Sequence, residues 1–308
     1  MTSFKSRLIN TLMRNRHLLQ GRLRREVFDM NTSIDAFRDL CEKGAAKYAR
    51  IPEGISIRAQ VIEGMTSEWL IPDHAPADKL VLYVHGGGYV SGSCRDHRGF
   101  VSKFAKRAGI TNLIYEYRLA PEHPFPAALD DSVKIYRWIL SSGYRPEHVL
   151  FAGESAGGGL LLALLLALQE QGLALPAAAV SISPWTDLTC SSDSYRTKHG
   201  VSVAPMNSWK VFSAHYVGTS RADEPLISPL FGDLKGLPPL LINSGEDDEL
   251  FEDGERFARK AGAAGVDVTF GKGTGQVHCY PLLAPMFPEA TAAMNEIVDF
   301  TRFHLAEH

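Results

Sequence analysis

Gly153-Glu154-Ser155-Ala156-Gly157-Gly158 stands directly after one apolar run and directly before a Leu-rich one. Small residues two before and two after a serine relieve crowding in a strained strand-to-helix turn, which lifts the hydroxyl out at the edge of a sheet as a nucleophile. The helix that follows offers free first-turn N–H groups to developing negative charge. A Gly-rich tight turn would carry the same residues without chemistry, so a second signal is needed. His85-Gly86-Gly87-Gly88 supplies it, just past another apolar run. Consecutive glycines let backbone N–H groups turn into a site rather than into a ladder. A tetrahedral intermediate needs such donors for its oxyanion, each worth about 10²–10³ in rate. The best donors are Gly87, Gly88 and Ala156, while His85 reads as structural, its side chain holding the loop.

A serine nucleophile on such a turn calls for an acid and then a histidine, in that order, downstream. Five histidines follow Ser155: His199, His215, His278, His304 and His308. His278 comes after the last strand-like run and a Gly-rich loop at 271–275, where a base could swing over the serine. The acid lies in Glu246-Asp247-Asp248-Glu249, at the end of a strand-like run. Its role would be to fix the histidine tautomer and stabilise the imidazolium. An acidic run is also what a solvated loop and helix start look like, and residue types alone do not choose among the four.

These groups need elements to carry them. Short apolar runs at 80–84, 112–115, 149–152, 177–182, 240–243 and 266–270 predict strands buried on both faces, and 55–61 with 67–71 predict a hairpin turning at Glu63-Gly64. Helical patterns fill 100–108, 129–140, 155–171, 251–264 and 290–304. Alternating β and α of this kind predicts an α/β fold, a parallel sheet between helices. Residues 189–225 break the rhythm with polar turns and then Trp209, Phe212, His215 and Tyr216 at helical spacing. They read equally well as a lid over the strand ends or as an ordinary surface helix with a buried aromatic stripe.

Composition narrows the class. The chain has 308 residues, 45% hydrophobic and 22% charged, with 27 Gly and 17 Pro, which excludes disorder, collagen and coiled coil. A formal charge of −3 leaves no global basic surface for nucleic acid. Cys41, Cys94, Cys190 and Cys279 are scattered, neither a disulfide framework nor a zinc site, and suit a reducing, cytoplasmic setting. The longest apolar run, 160–168, is about half of the roughly 20 residues a membrane span needs, so no stable membrane insertion is expected. The first thirty residues carry +5 without a signal-peptide core. Phe4, Leu8 and Leu12, then Leu19, Leu23 and Val27, predict two amphipathic helices broken near Arg14–Arg16. A helix docked on its own domain with a solvated basic face is preferred to one lying on a membrane.

Taken together, His85-Gly86-Gly87-Gly88-Tyr89, the stretch from Tyr117 to Asp131 (YRLAPEHPFPAALDD) and Gly153-Glu154-Ser155-Ala156-Gly157-Gly158 resemble the hormone-sensitive lipase family of α/β-hydrolases, specifically its bacterial esterases. The resemblance runs from about residue 80 to residue 282. It implies the α/β-hydrolase fold as one domain over 1–308, a mostly parallel sheet flanked by helices, with a core of about 51–189 and 226–308 and a helical cap from about 1–50 and 190–225. It implies Ser155 as nucleophile and His278 as base. The family's acid lies in an Asp-x-Leu motif about thirty residues before the histidine. Asp248-Glu249-Leu250 matches, which favours Asp248 over Asp247. Two departures stand out: Glu154 replaces the commoner Asp, and His278-Cys279-Tyr280 replaces His-Gly, which would reshape the acyl pocket.

The expected activity is a serine carboxylesterase acting on short- to medium-chain esters or small lactones, needing no metal or organic cofactor. Its partner would be a small ester, with a homodimer left open. Tyr89, Met206, Trp209, Phe212, Tyr280 and Leu283 are candidate pocket residues, each of which reads equally well as core. Two rivals remain: an amidase, peptidase or lactonase using the same triad, and a non-catalytic small-molecule receptor on the same fold. Receptors of that kind that resemble this family lose the catalytic histidine, whereas His278 is present.

Overall fold

The computed structural model describes residues 2–19, 21, 23–46 and 50–306. Arg22 and His308 lie outside them. In chain order the elements are α1 (Phe4–Arg14), α2 (Arg16–Leu19), α3 (Ile34–Ala46), β1 (Ile55–Ile62), β2 (Met65–Pro72), β3 (Leu80–Val84), α4 (Cys94–Ala108), β4 (Thr111–Tyr115), α5 (Ala127–Ser141), β5 (Val149–Glu154), α6 (Ala156–Glu170), β6 (Ala178–Ile182), α7 (Ser194–Thr197), α8 (Ser208–Val217), β7 (Leu240–Gly245), α9 (Phe251–Ala263), β8 (Val268–Gly273) and α10 (Pro288–His304).

One eight-stranded sheet organises them, in the order β1-β2-β4-β3-β5-β6-β7-β8. β1 and β2 form the expected hairpin through Glu63-Gly64, both with positive φ, and β2 runs antiparallel to β4. The other pairings are parallel. Side chains alternate along the strands, so the sheet builds two cores. Leu80, Leu82, Val84, Phe151 and Ile242 pack against α5, α6 and α9, whereas Val81, Tyr83, Leu150, Val180 and Leu241 pack against α4 and α10. The apolar run 160–168 is the buried α6, directly behind β5.

β8 departs from expectation. It begins two residues later than the apolar run suggests and is half-exposed, because it is the edge strand with a neighbour on one side only. Val266 is buried but sits in the turn after α9, where its N–H bonds the Ala261 carbonyl.

The N-terminal segment also corrects the sequence reading. α1 breaks at Asn15 as predicted, but the second helix stops at Leu19 and residues 23–27 are not helical. Val27 instead forms a bridge with Met206, and Phe28 N–H bonds the Met206 carbonyl at 2.8 Å. α1 docks by a mixed face, on which Ile9 and Met13 pack against the Val277–Phe287 cluster beside two buried polar side chains. Ser6 Oγ and Asn10 Nδ2 donate to Gln276 Oε1 at 2.9 and 3.2 Å, and Asn10 also reaches the Gly275 carbonyl. Phe4, Leu8 and Leu12, the predicted apolar face, remain 75%, 48% and 47% exposed. The loop that receives α1 presents hydrogen-bonding groups, and an apolar stripe could not have satisfied them. Among the described residues no helix is long and apolar enough to cross a membrane.

Candidate active site

Ser155 occupies the turn between β5 and α6 with φ 57° and ψ −123°, a conformation that costs a non-glycine residue on the order of 1–3 kcal/mol and survives only where its surroundings hold it. They do hold it. Its N–H bonds the Ile182 carbonyl at 2.8 Å, and its own carbonyl takes the N–H groups of Gly159 and Trp185 at 3.0 Å. The turn is possible because Gly157 is bare: a Cβ there would lie 2.2 Å from the Val84 carbonyl oxygen and 2.3 Å from that of His85. This close approach brings the serine turn against the His85 loop.

In that loop Gly87 and Gly88 have φ of 113° and 65°. Neither of their N–H groups bonds another described residue. Ala156, first in α6, has no intrahelical acceptor for its N–H either. Three N–H groups in the serine turn and the adjoining loop are therefore without a described partner. His85 lies beneath them, fully buried, its ring stacked on Tyr117 at 4.1 Å, and the Tyr117 hydroxyl donates to the His85 carbonyl at 2.8 Å. Burial and the nearby His97 charge push its pKa down to about 4, so it is neutral and structural.

His278 follows β8, and its Nδ1–H donates to Asp248 Oδ2 at 2.6 Å. Asp248 is completely buried. Burial alone would lower the His278 pKa, but the Asp248 carboxylate and the adjacent Cys279 outweigh it and raise the pKa well above the ordinary histidine value. The next residue, Cys279, donates its N–H to Ser183 Oγ at 3.0 Å, and Ser183 follows Ile182, the acceptor for Ser155 N–H. Ser155 and His278 thus converge on the same strand end, β6. No hydrogen bond joins Ser155 Oγ to the His278 ring. Catalytic contacts of this kind tighten when substrate binds.

The four acidic residues that composition could not separate each have different partners. Glu246 pairs with Lys272 at 2.9 Å, and Asp247 with Arg14 of α1 at 2.5 Å and Lys198 at 3.8 Å. Asp248 takes His278, and Glu249 accepts His199 Nδ1–H and Trp209 Nε1–H at 2.9 Å each. The run is therefore not simply a solvated loop: it is where the core, the N-terminal segment and the segment between β6 and β7 are tied together. Asp253 anchors the same segment. Its carboxylate accepts the N–H groups of Thr186 and Asp187 and the Tyr195 hydroxyl at 2.9–3.1 Å.

The pocket candidates divide. Trp209 packs edge-on against His278 at 5.5 Å and against Trp185 at 5.1 Å. Phe212 lies on the glycine loop, its Cδ2 only 2.4 Å from where a Gly88 Cβ would stand, and it packs with Phe28 and Phe37 at 5.6 and 5.3 Å. Met206 meets the N-terminal segment through its backbone. Tyr89 is buried and stacked on Tyr216 at 3.7 Å. Tyr280 and Leu283 belong instead to a satellite core with Val277 and Phe287, and the Tyr280 hydroxyl takes Asn243 Nδ2–H at 3.0 Å. Phe28, Phe37 and Trp185 complete the aromatic wall, and nothing in the sequence near the motifs signals them.

Cys279 has φ 52°, the left-handed region that favours glycine. Cys279→Gly is therefore expected to leave stability within about 1 kcal/mol, relief of strain offsetting the freedom of the unfolded glycine. A β-branched side chain is excluded more strongly, so Cys279→Val is expected to cost about 1–2 kcal/mol or more. Urea denaturation of both variants checks the pair. Equal stabilities would contradict the left-handed assignment.

A family described by its alpha/beta hydrolase fold matches residues 81–282, more than half of the chain. The chain belongs to that family. This hydrolase is 39% identical to an acetyl-hydrolase of Streptomyces hygroscopicus over 238 residues, 77% of this chain and 79% of that protein. It is 33% identical to an esterase of Acinetobacter venetianus over 274 residues, 88% of this chain and 89% of that one. A solved esterase from the bacterial hormone-sensitive lipase family superposes with TM-score 0.90 at 35% identity, covering 99% of this chain and 100% of that chain. The hydrolase is of the hormone-sensitive lipase type.

Proposed function

We propose that this hydrolase cleaves short- to medium-chain carboxylic esters, and small lactones, through an acyl-enzyme on Ser155. The observation that carries the reading is the pairing of His278 with the buried Asp248, 2.6 Å apart, together with a serine on a strained strand-to-helix turn. Ser155 Oγ attacks the ester carbonyl carbon while His278 Nε2 takes the hydroxyl proton. The carbonyl oxygen becomes an oxyanion that accepts the N–H groups of Gly87, Gly88 and Ala156. Collapse expels the alcohol, which takes the proton back from His278. A water molecule then attacks the acyl-enzyme, losing its proton to His278, and the acid leaves as the proton returns to Ser155. Asp248 holds Nδ1–H in place and stabilises the imidazolium in both halves.

Residues 1–50 and 190–225 act as a cap over this centre. The Val27–Met206 bridge, the Phe28–Phe212 contact and the Arg14–Asp247 pair support that role. The aromatic wall against Gly88 supports a short acyl preference, as does the likeness to a protein named for acetyl hydrolysis.

A series of p-nitrophenyl esters from acetate to laurate tests the reading. The kcat/KM is expected to peak at eight carbons or fewer and to fall at least about tenfold by twelve, because Phe212, backed by Phe28 and Phe37, lies against the glycine loop. Rates that climb through laurate would contradict the acyl preference, and no turnover of any ester would contradict the function.

A further inference from the structure

Behind the glycine loop lies a buried chain of ionisable groups that the proposed mechanism does not use. Glu154 ends β5, one residue before Ser155, and its carboxylate reaches across to β3. Oε1 accepts the Gly86 N–H at 2.6 Å and Oε2 accepts the Tyr83 hydroxyl at 2.5 Å. Gly86 immediately precedes Gly87. One carboxylate therefore links the backbone that carries the nucleophile to the backbone that carries the candidate oxyanion donors.

Such a link has an electrostatic cost. A bare buried carboxylate is strongly disfavoured, and it would also oppose the negative charge that grows on the substrate oxygen. His97 meets both problems. Its Nε2–H donates to Glu154 Oε1 at 3.0 Å, and its Nδ1–H donates to Asp96 Oδ1. With a carboxylate at each ring nitrogen, both nitrogens carry protons. Burial works against that charge, but the bonds from Asp96 and Glu154 outweigh it and carry the pKa up to about 10. Asp96 is itself anchored, since it completes the capping box of α4, accepting the Ser93 N–H at 2.8 Å while Ser93 Oγ takes the Asp96 N–H.

We propose that His97 is a positioning residue for the oxyanion loop: its imidazolium, held by Asp96, offsets the Glu154 charge so that this carboxylate can tie Gly86 to the nucleophile's strand with less opposition to the charge on the substrate oxygen. The inference rests on the esterase reading of Ser155.

The test uses the full chain, with active sites titrated by a fluorophosphonate, and reads three quantities per active site: kcat, KM and Ki for a trifluoromethyl ketone that forms a serine hemiketal. Wild-type turnover is the control on which the esterase reading stands or falls separately. His97→Gln leaves Glu154 uncompensated, so kcat is expected to fall about 10- to 100-fold, with KM within about threefold and Ki rising in step with the loss of kcat. Glu154→Gln removes the charge, while its amide oxygen can still accept the Gly86 N–H, and a loss of less than about tenfold is expected. The double variant is expected to match Glu154→Gln, because the charge that His97 answers is gone. A merely structural role would lower the titrated fraction and leave kcat and Ki per site unchanged, and that result overturns the proposal. So do single losses that multiply in the double variant. If His97→Gln yields no titratable sites, Tyr83→Phe replaces it. Loss of that one hydrogen bond should lower kcat about three- to tenfold at constant KM, and wild-type kcat would overturn the proposal.

Discussion

Ser155→Ala is expected to abolish ester turnover, lowering kcat by about 10⁵–10⁶ while the protein folds normally. The site explains both halves of that expectation. The residue is only 6% exposed, and the turn that presents its hydroxyl is held by backbone bonds to Ile182, Gly159 and Trp185, none of which involves the hydroxyl. Alanine keeps those bonds and removes one oxygen. The oxyanion donors remain, so activity above the water reaction persists at the level that binding and donors alone can give, about 10³–10⁴. Steady-state rates on p-nitrophenyl acetate decide it. A variant keeping more than about a hundredth of wild-type kcat would mean that another group forms the covalent bond.

Asp248→Asn is the second large effect, expected at about 10³–10⁴ in kcat. The amide can accept from His278 Nδ1–H only if it turns its oxygen inward, and it no longer stabilises the imidazolium. Its pH signature is specific. His278 must be neutral to take the serine proton, so kcat/KM rises as pH climbs through its pKa. Burial would place that limb below the ordinary histidine value, and Asp248 lifts it above. Removing the carboxylate therefore moves the limb to lower pH while the plateau falls. Asp247→Asn breaks contacts to Arg14 and Lys198 only, and less than a threefold change in kcat is expected. If Asp248→Asn keeps more than a tenth of the activity and Asp247→Asn loses it, the acid is Asp247.

Much of the fold is legible because its signals are local. Apolar runs a few residues long locate β3 to β7, Glu63-Gly64 marks the hairpin, and glycines on both sides of Ser155 mark the elbow. The start of α4 is also readable in the chain, since Ser93 and Asp96 have capping-box spacing, but an apolar pattern alone begins that helix six residues late. Other features depend on partners far away in sequence. Glu249 reads as one of four exposed acids until His199 and Trp209 are seen bonded to it. The periodicity of α1 marks Phe4, Leu8 and Leu12, but its docking side carries Ser6 and Asn10, set by what Gly275 and Gln276 offer, together with Ile9 and Met13. Phe28 and Phe37 reach the glycine loop through Phe212, across more than 170 residues of chain. Pairings at that separation leave no trace in a single sequence.

The central claim is that one serine, at the end of β5, carries the acyl group. Treating the protein with a fluorophosphonate and mapping the modified peptide by mass spectrometry tests it most directly. One adduct per chain is expected, on Ser155, absent from Ser155→Ala and suppressed by prior incubation with a short ester. An adduct on another residue, or none on a preparation that turns over ester, would contradict the account.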